Sequence, residues 1–170
     1  MHRKATTFPT RDGLRLAADV AGDGARGVLI LAHGGGQTRH SWVLAGKHLA
    51  DRGWKTVTMD LRGHGDSDWA PDGDYRVERF AEDLIDIAAT FPAKPALIGA
   101  SLGGREIEIP VHLIRGRLSE LVSLEAAWAF VATLRNGVFT DVAGAGHMVA
   151  GDRNDVFLDA VTAFFDRSPR

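Results

Sequence analysis

Short apolar runs alternate along this chain with segments whose apolar residues recur every three or four positions. That alternation predicts an α/β fold, a mostly parallel sheet with helices on its faces. Residues 5–9 and 14–21 read as an opening antiparallel hairpin that turns at Arg11-Asp12-Gly13. Residues 27–34 are apolar enough for a buried strand and end in a glycine run. Residues 41–52 have helical spacing, with Trp42, Leu44, Ala45 and Leu49 on one face and Gly53 as the stop. A second buried strand at 54–61 leads into a polar loop at 62–75. The next helix, 77–91, is amphipathic and would turn Val77, Phe80, Ala81, Leu84, Ile85 and Ala88 inward. Strands at 94–100, 109–116 and 138–142 and helices at 123–134 and 152–165 complete the pattern. Pro110 stands at the start of its strand, where a missing N–H is tolerated.

Composition narrows the function classes. With 170 residues, 45% of them hydrophobic, one domain with a real core is expected. The net charge of −2 comes from intermixed acids and bases, which gives no electrostatic footprint for nucleic acid or an anionic membrane. Without cysteine there is no disulfide, no thiolate nucleophile and no cysteine-bound zinc. The first residues carry no apolar signal core, and the longest apolar run, Val28 to Ala32, is too short to span a bilayer. A soluble cytoplasmic domain is the plain expectation.

Four places carry chemistry. Gly99-Ala100-Ser101-Leu102-Gly103 fits G-x-S-x-G directly after an apolar strand, the context in which a strained turn presents a nucleophilic serine. His33-Gly34-Gly35-Gly36 ends the earlier strand, and its glycines let backbone N–H groups approach a ligand. An oxyanion held there would take one hydrogen bond from the Gly35 N–H and another from the N–H of Leu102. His147 lies in a glycine-flanked loop between the last strand and the last helix, late enough in the chain to serve Ser101 as its base. Glu120, just past a strand end, is the candidate for the acid that orients the imidazole, with Asp141 on the last strand as the substitute. His33 is expected to order the glycine loop and His64 the loop after its strand. Structural or surface roles fall to His40, His48 and His112. No histidine pair has helix-face spacing beside a carboxylate, so neither a metal nor a cofactor is expected.

Together these residues resemble the α/β-hydrolase superfamily, in its serine esterase and cofactor-free haloperoxidase branch. HGGGQTRHSW is similar to that branch's oxyanion loop, DLRGHGDSD to the loop after its next strand, GASLGG to its nucleophile elbow and AGAGHMVAGD to its histidine loop. The resemblance runs from about residue 8 to residue 166. It implies a three-layer α/β-hydrolase fold and hydrolysis of an ester or similar acyl bond. A serine at position 101 sets the chain apart from relatives that use an aspartate there.

The chain departs from the family pattern twice. The family's acid falls where this chain has Ser119, one residue before Glu120. Glu120 follows Ser101 by only 19 residues, an interval in which relatives place a helix, a strand and usually a cap. The resemblance therefore implies one truncated domain over 1–170, with the cap and the adjacent strand and helix missing between about 104 and 109. Three functions are open: a serine hydrolase of small acyl substrates, a degenerate remnant that binds or does nothing, and a perhydrolase that uses peroxide as acceptor. The only partner expected is a small acyl substrate, with neither nucleic acid nor membrane. A homodimer through apolar surface exposed at the deletion is a further expectation.

Overall fold

The structure, a computed structural model, describes residues 3–99, 111–120, 122–132, 137–147 and 149–167. The segment 104–109, where the resemblance places the deletion, lies outside them. The chain divides into two compact units, Met1–Leu102 and Gly103–Arg170.

In the first unit five strands, β1 (Lys4–Pro9), β2 (Arg15–Ala21), β3 (Val28–Ala32), β4 (Lys55–Met59) and β5 (Ala96–Gly99), form one sheet in the order β1-β2-β4-β3-β5. The opening pair is antiparallel, as its alternation predicts, and its turn is closed by Gly13 N–H to Thr10 O at 3.0 Å and by Thr10 N–H to Leu14 O at 2.9 Å. β3 pairs parallel with both β4 and β5. The apolar run of β3 suits a central strand covered on two faces. Leu16, Ile30, Val57, Met59 and Leu61 build the core on one face with Ile87 of α2 (Val77–Ala89), and Phe80, Leu84 and Ala88 pack around it. The other face lies under α1 (Val43–Ala50), where a Cβ on Gly46 would stand 3.0 Å from the Thr58 methyl. Helix, sheet and helix thus make the three layers.

The inward faces of two helices differ from the sequence expectation. On α2 the inward positions are Phe80, Asp83, Leu84, Ile87 and Ala88, while Val77, Ala81 and Ile85 face out. The stripe is turned by about one position because Asp83, fully buried, takes an inward place that apolar periodicity assigns to a hydrophobe. The other case begins with a 3-10 turn, Arg39–Trp42, which swings the start of α1 so that Leu44 is 67% exposed and Gly46 takes the close contact.

The second unit is a parallel pair, β6 (Val111–Gly116) and β7 (Gly137–Val142), with α3 (Leu124–Ala132), α4 (Val149–Asp152) and α5 (Asn154–Arg167). Trp128 of α3 packs on Phe139, and Phe164 of α5 packs on His112. Residues 139 and 112 project from opposite faces, so α3 and α5 cover opposite sides. The closing helix expected at 152–165 is two helices that break at Arg153.

Candidate active site

The glycine loop is set by the chain around it. His33 follows β3 and is fully buried. Its Nε2 accepts the Leu61 N–H at 3.1 Å, so Nδ1 carries the proton and donates it to Gly34 O at 2.7 Å. Burial lowers the His33 pKa, which keeps the ring neutral and the tautomer fixed. The ring thus fastens the loop after β3 to the chain leaving β4. Gln37 adds a second tie through its side-chain carbonyl, which accepts the Gly34 N–H at 3.1 Å. Gly35 is exposed at the tip, and no hydrogen bond from a described residue takes up its N–H.

Arg39 makes the third tie. Its guanidinium reaches Asp19 at 3.2 Å, Asp66 at 2.7 Å and the buried Asp60, and its N–H donates to Asp60 at 2.5 Å. Burial opposes the charge on Arg39, but the carboxylates of Asp66 and Asp60 outweigh it and hold the guanidinium above its ordinary range. Asp60 also accepts the Asp66 N–H at 3.0 Å. Gly65 is obligatory in that loop. Its φ is +52°, and a Cβ would lie 2.2 Å from the Asp60 carboxylate. Next along, Arg62 is buried and bidentate to Asp83 at 2.7 and 2.5 Å, with Asp12 at 3.0 Å. The pair raises the Arg62 guanidinium above its ordinary range and joins the loop to α2 and the hairpin. Sequence reasoning missed these ion pairs, because their partners lie about twenty residues apart or more.

Register brings the glycine loop and the elbow strand to one level. Ala32 pairs with Gly99 at the carboxyl ends of β3 and β5, so the chain leaves both strands side by side. β3 connects onward to β4 on one side while β5 lies on the other, which makes this a topological switch point of the sheet. Ligands of open α/β sheets bind in that crevice. Ser101 and Leu102, the expected nucleophile and second oxyanion donor, lie outside the described residues.

In the second unit the histidine loop is drawn against the loop after β6. The Leu118 N–H donates to Ala145 O and the Arg117 N–H to Val142 O, each at 2.9 Å. Gly116 permits the approach, since a Cβ there would sit 1.8 Å from Gly146 O. His147 is half-buried, and its Nδ1 lies 3.2 Å from Ser119 Oγ. Glu120 is exposed, and no hydrogen bond or ion pair from it reaches His147. Asp141 is committed elsewhere, to Arg115 at 2.8 Å and Arg117 at 2.9 Å. Burial works against its ionisation, but the two guanidiniums prevail and lower its pKa. The structure thus brings Ser119, and neither sequence-derived acid, to the imidazole. Among the described residues no group of three His, Asp or Glu side chains is placed to hold a metal ion. No helix among them is long and apolar enough to cross a membrane.

Residues 27–107 match the family model described as the alpha/beta hydrolase fold. The chain is 36% identical over 77 residues to an esterase of Mycobacterium tuberculosis, a match that covers 45% of this chain and 25% of the esterase. It is 34% identical over 119 residues to the non-heme chloroperoxidase CPO-A1 of Kitasatospora aureofaciens, covering 69% of this chain and 42% of that protein. The chain thus spans a quarter to two-fifths of the length of these curated relatives. A solved hydrolase from Thermoplasma acidophilum superposes with a TM-score of 0.84 over 96% of this chain and 98% of its own, at 18% identity. At that identity the likeness speaks for the fold.

Proposed function

We propose that this chain, whose residues 27–107 match the alpha/beta hydrolase family model, is a serine hydrolase that cleaves a small ester or related acyl bond. Ser101 Oγ attacks the acyl carbonyl while its proton passes to Nε2 of His147. The Gly35 and Leu102 N–H groups stabilise the resulting oxyanion. The intermediate collapses to an acyl-serine as the imidazolium protonates the departing alcohol. Water, deprotonated by the same imidazole, then attacks the acyl carbonyl, and the acid leaves with Ser101 restored. The short interval after Ser101 leaves no length for a cap, which favours an open site and a short acyl group.

The observation that carries this reading is the Ala32–Gly99 register. It puts the chain entering an exposed glycine tip beside the chain that enters G-x-S-x-G, at the switch point of the sheet. Exposure of Gly35 and the rigid seat given to the loop by His33 and Arg39 suit a preorganised oxyanion donor. The esterase among the matched relatives supports the acyl substrate class.

The test is hydrolysis of p-nitrophenyl acetate. Ser101→Ala and His147→Ala are each expected to lower kcat about a thousandfold or more, since such groups act as a unit. Activity retained in Ser101→Ala would contradict the mechanism. The chloroperoxidase similarity favours a second reading, in which peroxide replaces water on the acyl-serine and releases a peracid that oxidises halide. Halide oxidation that requires both peroxide and added acetate, and is lost in Ser101→Ala, is the outcome expected of it.

A further inference from the structure

We infer that Ser119 is the positioning residue for His147, a neutral hydroxyl standing at Nδ1 where a carboxylate would otherwise orient the ring. The inference rests on the reading of His147 as the general base. Its own content is narrower: residue 119 sets the tautomer of the imidazole.

Three observations converge on it. Ser119 is buried, 9% exposed, with its Oγ 3.2 Å from His147 Nδ1. The nearby carboxylates are occupied otherwise: Glu120 in solvent, Asp141 between Arg115 and Arg117, and Asp152 on the Gly146 N–H at 2.8 Å. The backbone that presents Ser119 is also fixed: its N–H donates to Gly116 O at 2.9 Å, and Leu118 N–H ties the same turn to Ala145 O at 2.9 Å. Gly116 lies so close to Gly146 that no side chain fits between the two loops. Both ends of the Ser119–His147 contact are thereby carried on backbone that is itself bonded together.

The chemistry of the contact follows from what a base needs. An imidazole that accepts a proton at Nε2 must hold its existing proton on Nδ1. In the proposed arrangement the Ser119 oxygen accepts that Nδ1–H and turns its own hydroxyl hydrogen away from the ring, which holds the productive tautomer. It carries no charge, however, so the imidazolium formed during reaction gains a dipole where a carboxylate would give it an ion pair. Ser119 therefore keeps the ring oriented while giving less stabilisation to the charged state. Because Ser119 bonds the imidazole rather than the substrate, its effect belongs in kcat and leaves KM unchanged.

The experiment compares the unaltered full chain with Ser119→Ala, Ser119→Thr and Ser119→Asp, using nitrogen NMR of His147 and p-nitrophenyl acetate kinetics. The unaltered chain and Ser119→Thr, which keeps the hydroxyl, are expected to show the Nδ1-protonated tautomer. Ser119→Ala is expected to show mixed tautomers and a kcat lower by about tenfold at constant KM. Ser119→Asp is expected to restore the Nδ1–H form, move protonation of the ring to higher pH, and raise kcat about tenfold above the unaltered chain. A His147 tautomer unmoved in Ser119→Ala overturns the inference whatever the kinetics. If the tautomer follows residue 119 while every form hydrolyses no faster than Ser101→Ala, the positioning role stands and the hydrolase reading falls.

Discussion

His33, His112 and His147 show how one ring takes three roles according to what its two nitrogens meet. His33 is saturated, with a carbonyl on one nitrogen and an amide on the other, which fits it to hold a loop rather than to move a proton. His147 meets a hydroxyl at Nδ1. His112 is bonded at Nε2 to Thr140 Oγ1 at 2.8 Å, and its ring lies against Phe164. Burial, reinforced by the positive charge of Arg167, pushes its pKa from the ordinary 6.5 down to about 4. The unfolded chain binds this proton below about pH 6.5 and the folded chain only below about pH 4. Stability is therefore whole above the first value and falls between the two, by at most ~3 kcal/mol from this group. His112→Gln removes the titration while keeping a polar partner for Thr140. Its melting temperature is expected to drop less than that of the unaltered chain between pH 7 and pH 4. Equal drops would show that His112 is not the group responsible.

At the scale of elements, the 62–75 loop gains its shape from charges that reach it from β2, the glycine loop and α2. The Arg62–Asp83 pair is the deepest of these contacts, both side chains being 1% exposed. Removing one partner leaves an uncompensated buried charge, at a cost of about 3–5 kcal/mol. Denaturant unfolding should show Arg62→Met losing about that much, and Arg62→Met combined with Asp83→Leu should recover a large part of it. If the double variant is as unstable as the sum of the two single changes, the pair is not coupled as the geometry requires. This contact also explains where the sequence was hard to read. The strands were legible because Val28–Ala32 is an apolar run and Lys55–Met59 is rich in β-branched residues, each between glycine or polar breaks. The inward stripe of α2 was not, because a charge whose partner lies 21 residues away leaves no periodic trace. His33 could be placed from the strand it ends. The resemblance marks position 119 as the family's acid site, but a serine there offers no carboxylate, so the expectation moves to Glu120, and only the two loops seen together show Ser119 Oγ 3.2 Å from His147 Nδ1.

For the molecule as a whole, the described residues give each unit a finished local architecture. The first holds a glycine tip beside the strand that leads to Ser101, at the switch point of a five-stranded sheet. The second holds His147 on a loop braced by β6 and its following turn. The proposed chemistry requires that Ser101 be a nucleophile activated by His147, and a fluorophosphonate probe reports that activation without knowledge of the natural substrate. Labelling of the unaltered chain, followed by peptide mass spectrometry, is expected to place the phosphonyl group on Ser101, with no labelling in Ser101→Ala and strongly slowed labelling in His147→Ala. Absence of labelling in the unaltered chain, or a label that persists on another residue in Ser101→Ala, would contradict the account.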